Sequence, residues 1–158
     1  MLTLLVWLPA ALKRGGLLQL RGIDVSCARS VVIDSKAQNV SGIVQELQGF
    51  ARARGANEKQ AMYIALVVEE ISCAVMDRFP ERMGEIYVQA TVVMDGENVV
   101  LYLRDNTSEF NPLAEDTEGI ALQEGERPDL MGVRIVQKKA KEFYYRRYSG
   151  FNTLVIRM

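Results

Sequence analysis

The sequence predicts an α+β domain: a two-layer α/β sandwich in which three main helices pack on one face of a mixed, mostly antiparallel sheet. Two helical patterns precede the first of two predicted β-hairpins, and a third helical pattern separates the hairpins. Strands joined by tight turns are antiparallel neighbours, which argues against a doubly wound parallel sheet. A length of 158 residues is sufficient for one domain with a substantial core.

The first predicted elements are a strand and two helices. Val31 to Ile33 is a short apolar run that suits a strand. A helix is predicted from Ser35 to Arg54, because its apolar residues recur on one face. The next helix is predicted from Glu58 to Phe79, where Asn57 and Gln60 have the spacing of a capping box.

The remaining predicted elements are two hairpins and the helix between them. Residues Glu85 to Met94 alternate apolar and polar side chains, Asp95-Gly96 signals a turn, and Val99 to Arg104 is the returning strand. Asp129 is the predicted cap of a helix that continues to about Lys141. The last hairpin is predicted from Phe143 to Tyr148 and from Phe151 to Arg157.

The composition excludes several kinds of catalytic site. The chain has no histidine and only two cysteines, so a Ser-His-Asp triad, a Cys-His pair and a zinc site with histidine ligands are excluded within it. The chain has 19 basic and 20 acidic side chains, so it lacks the excess of positive charge that nucleic-acid-binding proteins usually carry, and no nucleic-acid partner is expected. Two cysteines are too few for a disulfide framework, so a cytoplasmic location is expected.

The N-terminal segment is strongly apolar. Residues 1–28 are predicted to be an extension, and the domain is predicted to span residues 29–158. The apolar run from Met1 to Leu12 is shorter than the ~20 residues of a membrane-spanning helix. It is interpreted either as a segment packed on the domain or on a second copy, or as the end of a membrane span. In the second interpretation Lys13 and Arg14 lie on the cytoplasmic side, and the chain is the tethered tail of a membrane protein.

Three motifs occur in an order that resembles a known superfamily. The second helix contains Glu69 and, four residues later, Cys73, on one helical face. A strand ends in Leu-Arg-Asp-Asn-Thr, with Asp105 at its centre, and a long loop of residues 106–128 leads to Gly132. This layout resembles the GHKL (Bergerat-fold) ATPase superfamily, the histidine-kinase-like ATPase domains. Within it, the chain is most similar to the anti-sigma factor serine/threonine kinase group.

The resemblance implies a site for ATP and Mg²⁺. Glu69 matches the family's catalytic base or orienting residue, and Cys73 stands where the family has an asparagine that holds Mg²⁺. Asp105 matches the aspartate that accepts a hydrogen bond from the adenine amino group, and Thr107 replaces a glycine. No metal ligand is assigned in this chain. The nucleotide-binding residues that the resemblance implies are Cys73, Asp105, Thr107, Gly125, Gly132 and Arg134.

The resemblance also implies a regulatory function. Such a domain binds a protein partner, either a sigma factor or an antagonist of an anti-sigma factor, and phosphorylates a serine or threonine. A homodimer is expected because the related kinases pair as dimers. The alternative is a non-catalytic GHKL protein-interaction module. Cys73 favours that alternative, since a neutral thiol is a poor ligand for Mg²⁺.

Overall fold

The computed structural model describes residues 25–34, 40–79, 85–111 and 130–158. Within these residues it has five strands and three main helices, which confirms the α+β class. A short 3-10 turn, Val25–Cys27, precedes the first strand. The elements are β1 (Ala28–Asp34), α1 (Val40–Arg52), α2 (Glu58–Arg78), β2 (Tyr87–Asp95), β3 (Asn98–Asp105), α3 (Leu130–Lys139), β4 (Glu142–Tyr148) and β5 (Phe151–Arg157).

The five strands form one sheet in the order β1-β2-β3-β5-β4. Every strand pairing among the described residues is antiparallel, so the prediction of a mixed sheet was wrong. The reason lies in the connections. Two helices, rather than one, join β1 to β2, so the chain re-enters the sheet in the opposite direction. β5 then inserts between β3 and β4 and keeps those two strands apart.

The three helices share one apolar core with one face of the sheet. Leu47 of α1 and Ile64 of α2 are fully buried in this core. On the sheet side, Val92, Leu101 and Ile156 occupy one row across three strands and are also fully buried. Burial of each such side chain contributes about 1.5–3 kcal/mol, so this layer supplies much of the stability.

Local signals account for several element boundaries. Asn57 Oδ1 accepts a hydrogen bond from the Gln60 amide at 2.9 Å, and Gln60 Oε1 accepts one from the Asn57 amide at 2.9 Å, which confirms the capping box at α2. α3 ends at Lys139, earlier than predicted, because the Lys141 amide donates 2.8 Å to the carbonyl of Arg157 and so joins the sheet. The predicted cap at Asp129 lies outside the described residues.

A two-residue turn fixes the register of the last hairpin. Ser149 and Gly150 both have positive φ angles, 50° and 81°. Two successive residues of this kind are typical of the type I′ turn, whose twist matches that of paired strands. The turn sets Tyr148 opposite Phe151 and Arg147 opposite Asn152.

The N-terminal predictions fall mostly outside the described residues, which begin at residue 25. No helix in the described part of the chain combines the length and apolar character needed to cross a membrane. β1 begins at Ala28, next to the predicted boundary at residue 28. The division into an extension and a domain, and both interpretations of Met1 to Leu12, stay predictions.

Candidate functional site

The carboxylate of Asp105 lies at the end of β3, on the face of the sheet that packs against the helices. This position follows from the alternation of β3, in which the buried residues Leu101 and Leu103 point the same way. Asp105 is 6% exposed. Its Oδ1 accepts hydrogen bonds from the amide and the hydroxyl of Thr107 and from Asn152 Nδ2 at 2.8 Å. Its Oδ2 accepts none from the described residues, so within that part of the chain only one of the two carboxylate oxygens is held.

Asn152 of β5 is the centre of the hydrogen-bond network around this carboxylate. It faces Asp105 in the register of β3 and β5 and is 1% exposed. Its Nδ2 donates to Asp105 Oδ1 and to Thr107 Oγ1 at 3.0 Å. Its Oδ1 accepts from the Tyr145 hydroxyl and from Arg147 Nη1, both at 2.7 Å. All of its polar atoms are therefore satisfied, and the amide group has one orientation.

Asn152 is a residue of this network that was not predicted from the sequence. One signal was present, because asparagine is depleted in strands and here interrupts the apolar run of β5. Its partner Asp105, however, is 47 residues away in the chain, and only the sheet order brings the two together.

Thr107 occupies the position that the family resemblance assigns to a glycine. Among the described residues, the only non-glycine residue with a positive φ angle is Ser149, so the backbone at Thr107 does not require glycine. Its side chain is 1% exposed and donates to Asp105, while its carbonyl accepts from Arg147 Nη1 at 3.2 Å. In this structure Thr107 therefore positions the Asp105 carboxylate.

Burial raises the pKa of Asp105 above its ordinary value. Hydrogen bonds from Thr107 and Asn152, and the positive charge of Arg147, act in the opposite direction without cancelling the effect of burial. The folded chain therefore holds the Asp105 proton more tightly than the unfolded chain does.

The raised pKa predicts a pH-dependent stability difference for Asp105→Asn. A folded-state pKa above the ordinary value of about 3.9 favours folding at low pH. This contribution to stability is lost as the pH rises from the ordinary pKa through the higher pKa of the folded state. The asparagine variant cannot ionise, so we expect its free energy of unfolding, relative to the wild type, to increase from about pH 3 to pH 7. Urea unfolding across this range measures it, with the exposed Asp77→Asn as the matched control. A difference that is constant with pH would contradict the prediction.

A second group of predicted site residues lies along α2. Glu69 and Cys73 are both exposed. Burial raises the pKa of the Cys73 thiol, and the nearby charges of Asp77, Glu70 and Glu69 raise it further. The thiol is therefore protonated at neutral pH. A protonated thiol does not suit Mg²⁺, which takes oxygen ligands.

No cluster suited to a metal ion is present in the described ranges. A group of three or more histidine, cysteine, aspartate or glutamate side chains arranged to hold a metal does not occur there. The neutral thiol at position 73 is not an oxygen ligand, so this residue does not fit Mg²⁺.

Gly132 lies in the first turn of α3 and faces the side chain of Glu70. A Cβ atom built at Gly132 would overlap the carboxylate of Glu70, so a larger residue at position 132 would displace the end of that side chain. The negative charge of Glu70 suits the positive end of the α3 dipole. Arg134, predicted to bind nucleotide, is half-buried in the same helix, and Gly125 lies outside the described residues.

The contact between Gly132 and Glu70 predicts non-additive effects of mutation. Alanine is favoured over glycine in a helix by about 1 kcal/mol. In the wild-type background, Gly132→Ala must displace Glu70, so we expect no gain or a small loss of stability. In a Glu70→Ala background we expect the same change to stabilise by about 1 kcal/mol. A double-mutant cycle by urea unfolding measures the coupling, and equal effects in both backgrounds would show that the contact is absent.

The structure thus brings the predicted site residues together in two groups. Asp105 and Thr107 meet at the end of β3, while Glu69 and Cys73 share a face of α2. The Arg78 guanidinium, in the last turn of α2, lies 5.3 Å from the ring of Phe110, so the helix contacts the loop after β3.

No protein-family model matches the chain, and no curated protein is similar enough to count as a relative.

Proposed function

We propose that this chain is a regulatory ATP-binding domain of the GHKL type, similar to the anti-sigma factor serine/threonine kinases. The observation that carries the proposal is the state of the Asp105 carboxylate. Three donors hold Oδ1, and Oδ2 is left without a donor among the described residues. An oxygen fixed in this way is suited to accept a hydrogen bond from the exocyclic amino group of adenine.

The energetics support a ligand at this oxygen. A ligand amino group would add a hydrogen bond to an ionised carboxylate, and such bonds typically contribute about 1.5–3 kcal/mol. The surrounding bonds also keep Asp105 from turning toward solvent, so little side-chain entropy is lost when the ligand binds. Glu69 on α2 would then be the residue that orients the reacting group, as the resemblance implies.

A second candidate function is nucleotide or partner binding without phosphoryl transfer. The protonated, exposed thiol of Cys73 favours it, because Mg²⁺ carries much of the charge neutralisation in phosphoryl transfer. In that case the chain is a non-catalytic interaction module. Under both candidates the partner would be a sigma factor or an antagonist of an anti-sigma factor, the location cytoplasmic and the assembly a homodimer.

Thermal unfolding in the presence of ATP and ADP, with and without Mg²⁺, tests nucleotide binding. A ligand present at about 100 times its Kd stabilises the folded state by about 2.7 kcal/mol. We expect ATP to raise the Tm of the wild type and to leave that of Asp105→Asn unchanged. A wild-type Tm that responds to neither nucleotide would refute ATP binding, and an equal shift in Asp105→Asn would refute the role of Asp105.

The dependence on Mg²⁺ separates the two candidate functions. In the wild type we expect an ATP shift that changes little with Mg²⁺ and no transfer of labelled phosphate to serine or threonine. Cys73→Asn should make the ATP shift depend more strongly on Mg²⁺, and Cys27→Asn, at the other free cysteine, is the matched control. If Cys73→Asn leaves the metal response unchanged, the assignment of Cys73 to the asparagine position is wrong.

A further inference from the structure

β4 is an edge strand of the sheet. It pairs with β5 on one side, and no other described strand pairs with it. Its residues are mostly exposed, in contrast to those of β2 and β5. An edge strand presents main-chain N–H and C=O groups that can pair with another extended chain.

The outward side chains of β4 alternate tyrosine and arginine. Tyr144, Arg146 and Tyr148 point to the face of the sheet opposite the helices, because Tyr145 and Arg147 point to the buried network. Tyr144 is 49% exposed and Tyr148 is 65% exposed. Tyrosine and arginine are the residue types that most often anchor protein interfaces.

Two of the three charged side chains on β4 have polar or charged partners among the described residues, and the third has none there. Glu142 pairs with Arg157 at 3.5 Å. Arg147 donates to Asn152 and to the carbonyl of Thr107. Arg146 is exposed and forms no hydrogen bond or ion pair with the residues that the structure describes. Within the described ranges its guanidinium is therefore the charge of this strand that has no ionic partner.

The neighbouring strands continue the same aromatic and basic surface. The Arg104 guanidinium stacks on Phe151, 3.9 Å from the ring centre, and Phe151 faces Tyr148 in the hairpin register. Arg104 and Arg146 both lie opposite Thr153, on either side of it. Two positive groups thus lie on one face, close to exposed aromatic rings.

We propose that the β4 edge binds an extended acidic segment of a partner protein, which adds to the sheet as a sixth strand. An acidic side chain of that segment lies beside Arg146, and apolar side chains two residues before and after it lie beside Tyr144 and Tyr148. The main-chain groups of β4 that no described strand pairs with favour a peptide over a nucleic acid, which cannot continue the strand pairing. The net charge of −1 likewise disfavours a polyphosphate chain. This surface is separate from Asp105, so the inference does not depend on ATP binding.

A designed peptide tests the proposal with the full chain. The probe is the heptapeptide Thr-Ile-Thr-Glu-Thr-Ile-Thr, which carries a fluorescent label for anisotropy measurements. We expect saturable binding that weakens about tenfold in Arg146→Glu, because a favourable cross-strand charge pair becomes a repulsive one. A peptide with lysine in place of glutamate should bind Arg146→Glu better than it binds the wild type. Lys59→Glu, an exposed lysine on α2, is the matched charge control.

Each outcome bears on the proposal. Inversion of peptide preference by Arg146→Glu, with Lys59→Glu like the wild type, would support it. Failure of the peptide to bind, or binding that Arg146→Glu leaves unchanged, would overturn it. Preferential binding of a single-stranded oligothymidylate would also overturn it and assign the surface to nucleic acid. Arg146 is exposed, and an unchanged urea midpoint for the variant would show that it is folded.

Discussion

Replacement of Asn152 by aspartate is expected to destabilise the chain by about 3–5 kcal/mol at neutral pH, because it places a second buried carboxylate beside Asp105 and Arg147 supplies only one positive charge for the two. The new carboxylate has nearly the same shape as the amide but brings an acceptor within 2.8 Å of Asp105 Oδ1, where a donor stood before. Two carboxylates at this distance cannot both ionise without strong repulsion.

The same variant should recover stability in acid. Burial and repulsion raise the pKa of the carboxylate pair in the folded state. Folding of the variant is therefore favoured at a pH below this raised pKa and becomes less favourable as the pH rises through it. Urea midpoints measured between about pH 4 and pH 8 report the trend. Asn98→Asp is the matched control, because Asn98 is only half-buried and its Oδ1 accepts from Lys141 Nζ at 3.1 Å. Similar losses in the two variants would contradict the prediction.

Truncation of Leu101 to alanine is expected to cost about 2–5 kcal/mol. Leu101 is fully buried in β3, in a row with Val92 and Ile156 on the neighbouring strands. The loss of stability combines the transfer free energy of the removed side-chain atoms with the cost of the cavity that they leave. Because strands hold the neighbours on both sides, the cavity cannot close readily.

Urea unfolding at one pH measures this loss. Met62→Ala is the control, because Met62 is 68% exposed on α2 and its truncation should change stability by less than about 0.5 kcal/mol. An unchanged dependence of the free energy on urea concentration would show that Leu101→Ala leaves the extent of unfolding unaltered. A cost for Leu101→Ala no larger than that of the control would mean that this face of the sheet is not the core.

The sequence predicted those parts of the fold that depend on neighbouring residues. The cap at Asn57 and both hairpin turns are local, and the structure confirms them. Strand order is different, because the insertion of β5 between β3 and β4 depends on contacts between distant segments. For that reason the mixed sheet was predicted where the described strands are all antiparallel.

The residues of the candidate site also differ in whether the sequence alone predicts them. Asp105 was predicted as a site residue through the family resemblance, because it ends a predicted strand where the family has its adenine-binding aspartate. Asn152 was not predicted, since a strand asparagine acquires a role only when the sheet order places it opposite Asp105. The contact between Gly132 and Glu70 was also missed, because it depends on how closely α2 and α3 cross.

The Ser149-Gly150 turn has a consequence for insertions and deletions. One residue added to or removed from it would shift the register and exchange the two faces of β5. All residues from Asn152 to Ile156 are buried, so apolar side chains would still fill both faces. Asn152 would no longer lie opposite Asp105, and Thr153 or Phe151 would occupy that register position instead. A change in length at this exposed turn could therefore remove the site while it leaves most of the core composition intact.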